Sequence, residues 1–148
     1  ILVLDEPTTG LDPQARLVVW DRLHALRRDG VTILLTTHDM DEAARLADRV
    51  AVMFEGRILC EGAPAALIAA QVEPQVLELP GDTALEPALA GVATRITRHG
   101  GRLHAFGADA AAMLARIEAT GPAPALRLIR PANLEDLFLK LTGAELSE

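Results

Sequence analysis

The run Ile1-Leu2-Val3-Leu4-Asp5-Glu6-Pro7-Thr8-Thr9-Gly10-Leu11-Asp12-Pro13 decides the fold class. Four apolar residues without alternation predict a short parallel strand, covered on both faces. It ends in two carboxylates, Asp5 and Glu6, at the carboxyl edge where open α/β sheets bind ligands. Carboxylates placed there need a metal, hydrogen-bond donors or a proton. Pro7, Gly10 and Pro13 then punctuate a loop. Asp12-Pro13 opens a helix, with aspartate as cap and proline at the first helical position. The helix is predicted over residues 13–28, with Leu17, Trp20, Leu23 and Leu26 on its inner face. Arg27 and Arg28 suit its negative end, and Gly30 stops it.

Downstream, residues 31–36 predict a second buried strand, followed by the loop Thr37-His38-Asp39. If the two strands are parallel neighbours, His38 lies at the same sheet edge as Asp5 and Glu6. His38 and Glu42, one helical turn apart, are a rival metal pair, but the sequence supplies no third ligand at a plausible spacing. A helix over 40–47 comes next, acidic at its start. Strands over 49–54 and 57–61 flank the turn Glu55-Gly56, and an Ala-rich helix succeeds Gly62-Ala63-Pro64. This order predicts an α/β layer.

The composition changes near Gln71, and Glu73-Pro74 marks a boundary. Beyond it, strands are predicted at 76–79, 92–97, 102–106 and 125–129, with helices at 84–90, 108–119 and 133–141. Residues 71–148 therefore read as a small βαββαβ-like α+β unit with an appended helix. Leu134, Leu137, Phe138 and Leu141 share that helix's inner face, and Gly143 caps it. His24, His99 and His104 have no motif around them and read as surface or structural. Cys60 reads as a small buried hydrophobe.

Composition narrows the function classes. The chain has 148 residues with 14 basic against 21 acidic, a net charge of −7, which argues against a nucleic-acid coat. Aromatic residues are 3% with no tyrosine, so a base-stacking platform is disfavoured too. One cysteine excludes an internal disulfide framework and a multi-thiolate zinc cluster. No apolar run approaches the ~18 residues of a spanning helix. The chain has no initiating Met and opens inside an apolar run, so it reads as the C-terminal piece of a longer protein.

These residues carry a resemblance. Ile1 to Pro7 resembles the Walker B strand of ATP-binding cassette (ABC) ATPases, Thr9-Gly10-Leu11-Asp12 their D-loop, and Thr37-His38 their switch-histidine loop. Asp41-Glu42-Ala43 and Leu46-Ala47-Asp48-Arg49-Val50-Ala51 resemble the next helix and strand of transporter members. Gly56-Arg57-Ile58 and Glu61-Gly62-Ala63-Pro64 resemble the same group. The stretch from Asn133 to Gly143 resembles the C-terminal segment of daunorubicin-resistance-type exporter ATPases. The resemblance implies that residues 1–70 are the C-terminal part of a P-loop NTPase (ABC ATPase) domain, and residues 71–148 a small accessory or regulatory domain.

It also implies an ATPase that uses ATP and Mg²⁺; a bacterial source is expected from the high Arg-to-Lys ratio and the many alanines. Asp5 would help hold the metal, and Glu6 would act as general base or water-orienting carboxylate. His38 would contact the γ-phosphate, and Gly10 and Asp12 would reach across a homodimer toward the partner's phosphate loop. The implied partners are a second copy and a separate membrane permease, with no nucleic acid. The implied place is the cytoplasmic face of the membrane, as a peripheral protein. The family's glycine-rich phosphate loop, glutamine loop and Ser-Gly-Gly signature do not occur in these residues and are expected before Ile1. The chain alone is therefore expected to be inactive. Two alternatives stay open: the same engine on a task such as DNA repair or translation, and a non-enzymatic interaction or dimerisation module. The Thr9-Gly10-Leu11-Asp12 loop favours the transporter group over the translation factors.

Overall fold

The computed structural model describes residues 1–81, 83–121 and 124–143. Strand β1 (Leu2–Asp5) pairs in parallel with β2 (Ile33–Thr36), in a register that sets Asp5 opposite Thr36. Between them runs helix α1 (Pro13–Arg28), capped by Asp12, whose Oδ1 accepts from the amides of Gln14 and Ala15 at 2.9 Å. Helix α2 (Met40–Leu46) comes after β2 and is capped by Asp39. Trp20, Leu23 and Leu46 form the core here, with Leu2, Leu4, Ile33 and Leu35 packed against it.

Within these residues α1 and α2 cover one face of the strand pair, and Val3 (68%) and Leu34 (62%) lie on the other. Leu17 is also exposed, at 54%, and is not part of the inner face. The helix turns Val19, Trp20 and Leu23 to the strands, which leaves Leu17 and Val18 pointing away.

Strands β3 (Val50–Phe54) and β4 (Arg57–Gly62) form the expected hairpin. Its turn needs positive φ at two residues, Glu55 (48°) and Gly56 (74°). Helix α3 (Pro64–Gln71) leads into a third, four-stranded sheet.

That sheet contains β5 (Gln75–Pro80), β6 (Arg95–His99), β7 (Arg102–Gly107) and β8 (Leu128–Pro131), in the order β6-β7-β5-β8 with every pair antiparallel. Helix α4 (Glu86–Leu89) lies between β5 and β6, and α5 (Ala110–Glu118) between β7 and β8. This is the split βαββαβ arrangement of ferredoxin-like domains. Two strands sit later than expected. β6 starts at Arg95 rather than residue 92, because Gly100 and Gly101, both at positive φ, fix the hairpin register with His99 opposite Arg102. β8 runs on to Pro131, where it pairs with Gln75.

Each face of this sheet is covered. Leu77, Leu79, Leu103 and Ala105 pack against Leu89, Met113 and Ile117. On the other face Val76 and Phe106 meet Leu67 and Val72 and the helix α6 (Leu134–Thr142), through Leu134 and Leu137. Cys60 and Leu141 are partly buried at the rim of this cluster. Phe138 is half-buried, short of the inward position expected, and meets Phe54 edge-to-face at 6.1 Å. Among the described residues no helix is long and apolar enough to cross a membrane.

Candidate functional site

Parallel pairing of β1 with β2 brings the chemistry-bearing residues to one edge. The Thr36 hydroxyl at the end of β2 donates to Asp5 Oδ1 and accepts from the Glu6 amide at 3.3 Å. The Glu6 amide also donates to the Thr36 carbonyl at 3.0 Å. These bonds hold Glu6 at φ 47°, a left-handed conformation that non-glycine residues seldom adopt. The bend turns the Glu6 side chain toward the loop after β2. There Glu6 Oε2 lies 2.6 Å from His38 Nδ1 and accepts from Thr9 Oγ1 at 2.8 Å. Glu6 is half-buried, whereas the His38 ring is 74% exposed and reachable from solvent.

Asp5, Glu6 and His38 are thus brought together, as the sequence predicts for parallel neighbours. Gly10 lies in the loop beyond Glu6 at φ 77°, a conformation that favours glycine. Asp12 is exposed, and its Oδ1 is engaged with the start of α1. A groove of about 310 Å³ opens beside His38, between the start of α2 (Met40, Asp41) and the start of α6 (Asn133, Glu135, Phe138).

The rival metal pair does not form. Glu42 turns inward, fully buried, and its Oε1 accepts from Thr8 Oγ1 at 2.8 Å and Trp20 Nε1 at 2.9 Å. Among the described residues no three His, Cys, Asp or Glu side chains converge as a metal site. Sequence reasoning missed Thr36, and it missed that Glu42 serves Thr8 and Trp20. The signal for the second was a lone tryptophan on the inner face of α1, since a buried indole N–H requires an acceptor.

A second polar cluster lies in the β5–β8 sheet. Glu78 accepts from Arg130 Nε and, at 2.9 Å, from Arg102 Nη1. Arg130 also grips Asp136 with both Nη atoms, at 2.6 and 3.0 Å. Asp136 in turn accepts from the Asn133 amide and receives the capping box of α6. Burial pushes the Glu78 carboxyl up, but its bond to Arg130 and the nearby positive charges outweigh this and hold it below the usual range. Hydrogen bonding to Asp136 raises Arg130 further still. His104, beside them, stacks on His99 with ring centroids 3.8 Å apart. Burial, then the charge of His99, lowers His104 from 6.5 to about 4. It is structural, as its lack of motif context suggests.

Known proteins match this chain along its whole length. Residues 77–143 match the family model described as Nodulation factor export protein NodI, C-terminal domain. The Nod factor export ATP-binding protein I of Paraburkholderia xenovorans (strain LB400) is 48% identical over 150 residues, covering 100% of this chain and 49% of that protein. Its namesake from Ralstonia nicotianae is 46% identical over 154 residues, covering 100% of this chain and 48% of that protein. The chain spans about half the length of the curated relatives it matches. Among solved structures, UvrA2 from Deinococcus radiodurans aligns at a TM-score of 0.38 and 20% identity, covering 88% of this chain and 19% of that one. Close identity along the whole chain, joined to the domain match, makes this chain similar to part of the Nod factor export ATP-binding proteins.

Proposed function

We propose that this chain supplies the water-activating edge of an ATPase subunit that powers a bacterial ABC exporter through a separate membrane permease. The single observation that carries this is the 2.6 Å contact between Glu6 and His38, beside Asp5. Phosphoryl transfer to water calls for positioned charge and an oriented nucleophile. Glu6 is a half-buried carboxylate that can accept a proton from water or orient it. His38 is exposed enough to reach a terminal phosphate while it touches Glu6. One ligand therefore links the two side chains, and arrival of the γ-phosphate is sensed where water is activated.

Asp5 stays exposed with one oxygen bonded to Thr36, which suits a Mg²⁺ ion held by one or two carboxylates plus phosphate oxygens and water. Such an ion would neutralise charge on the phosphates. Gly10 and Asp12, on an exposed loop, would face the second copy in an ATP-bound homodimer. In this reading residues 1–70 complete the nucleotide-binding domain as its Walker B, D-loop and H-loop part. Residues 71–148 are an accessory domain, and the whole sits peripherally at the cytoplasmic face of the membrane. The relatives named for Nod factor export make that cargo class the first to test, and drug-type cargo the second.

The test is Glu6→Gln in the full-length polypeptide. Loss of a general base lowers turnover by ~10²–10⁴-fold, about 3–5 kcal/mol of barrier. ATP binding should survive, because Asp5 is untouched. Turnover within about threefold of wild type at saturating ATP would assign the base elsewhere.

A further inference from the structure

Glu42 is fully buried and carries two donors on one oxygen, while Oε2 has no partner among the described residues. A buried carboxylate is costly unless well satisfied. The two donors come from different places. Thr8 belongs to the loop after β1, and Trp20 to the middle of α1. Glu42 itself stands in the first turn of α2, four residues beyond His38. One carboxylate thus ties together the Glu6–Asp12 loop, α1 and the helix next to His38.

A parallel tie runs alongside. Asp39, the cap of α2, accepts from Arg16 of α1 at 2.8 Å. Arg16 and Arg45 both lie over the Trp20 ring, with guanidinium carbons 6.0 and 5.4 Å from its centroid. The link to chemistry runs through adjacent residues. Thr8 bonds Glu42, and its neighbour Thr9 bonds the same Glu6 oxygen that touches His38.

We propose that Glu42 is a positioning residue that, through Thr8, sets the separation between Glu6 and His38. This rests on the ATPase role proposed for Glu6 and His38. The rigid Trp20 ring fixes the carboxylate, the carboxylate fixes Thr8, and Thr8 fixes the loop from which Thr9 holds Glu6. Residues that act as one link give non-additive losses when removed together.

The experiment uses the full-length polypeptide with Glu42→Ala, Glu42→Gln, Thr8→Val and the double variant Glu42→Ala/Thr8→Val. Steady-state kinetics should show kcat for ATP falling about tenfold to a hundredfold in Glu42→Ala and in Thr8→Val, with KM within about threefold. The double variant should be no worse than the poorer single one. Glu42→Gln keeps an oxygen for both donors and should restore kcat to within about threefold. Amide hydrogen exchange reads the geometry without turnover. Exchange over residues 6–12 should quicken severalfold in Thr8→Val, while the α5 amides stay unchanged. Thr8→Val is nearly isosteric and leaves Glu42 its bond to Trp20, so it decides the matter if Glu42→Ala does not fold. Unchanged kcat and unchanged loop exchange in Thr8→Val would overturn the proposal, as would multiplicative losses in the double variant. Retained turnover in Glu6→Gln would instead sink the ATPase assignment, and the exchange result would still stand alone.

Discussion

His104→Asn should remove most of the acid sensitivity of the β5–β8 sheet between pH 6.5 and 4.5. The imidazole is 3% exposed on β7, stacked on His99 of β6 and 3.9 Å from Glu78 of β5. Arg102, Arg130 and Asp136 complete its charged surroundings. Burial first, and the charge of His99 second, lower its pKa from 6.5 to about 4, against the opposing pull of Glu78. Between those values the unfolded chain binds a proton that the folded chain refuses. The stabilisation is therefore complete above pH 6.5 and is lost as pH falls through about 4. The gap is worth roughly 3 kcal/mol at full extent, a large share of a small domain's stability. Glu78 is held below its ordinary 4.5, so its own loss falls at lower pH and leaves the upper window to His104.

Urea unfolding tracked by circular dichroism at pH 7, 5.5 and 4.5 measures the slope. Asparagine cannot titrate, and any uniform packing cost shifts all points equally. If the variant loses stability over this window as steeply as the wild type, His104 does not carry the pH dependence.

His38→Ala in the full-length protein should abolish coupled transport while ATP affinity stays within about tenfold, ~1.4 kcal/mol, as measured by vesicle uptake beside calorimetric titration. The 148-residue chain by itself, whose sequence contains no glycine-rich phosphate loop, should bind Mg-ATP weakly or not at all; micromolar affinity by calorimetry would contradict this. Phe138→Ala should cost about 1–2 kcal/mol, the range of a half-buried ring plus one edge-to-face contact, rather than the ~3–5 kcal/mol of a fully buried phenylalanine; thermal unfolding and size-exclusion measurements check it.

The edge formed by Asp5, Glu6 and His38 is legible in the sequence because each part of it is local. An apolar run ends in carboxylates, a second ends in a histidine, and parallel pairing of the two does the rest. The βαββαβ order is legible for the same reason, since hydrophobic periodicity and turn residues recur in sequence order. The parts that escape depend on partners far apart in the chain. Thr8 meets Glu42 across 34 positions, and Glu78 meets Arg130 across 52. No periodicity encodes such pairings. Glu78 inside the apolar strand Val76-Leu77-Glu78-Leu79 still carries a warning, because a carboxylate there requires a cation. The start of β6 is misplaced by sequence because Val92 favours a strand by itself, while the Gly100-Gly101 turn sets the register from the other end. Leu17 is misassigned because helical spacing gives a stripe and does not say how wide a surface receives it.

Helix α6 shows how the four-stranded sheet is connected to the β1–β2 edge. Its opening turn is locked twice, by the capping box of Asn133 with Asp136 and by the two-pronged grip of Arg130 on Asp136. Arg130 also holds Glu78, so the start of α6 is fastened to the middle of the β5–β8 sheet by charge-assisted bonds. The body of the same helix packs Leu134 and Leu137 into a cluster that Met40 and Ala43 of α2 also join. α2 begins two residues after His38, and its cap Asp39 is tied to Arg16 of α1. The apolar cluster and the partly buried ion pairs thus connect the β5–β8 sheet, through α6 and α2, to the residues that flank His38. His38 itself is exposed, and a groove rather than packed side chains lies between it and α6.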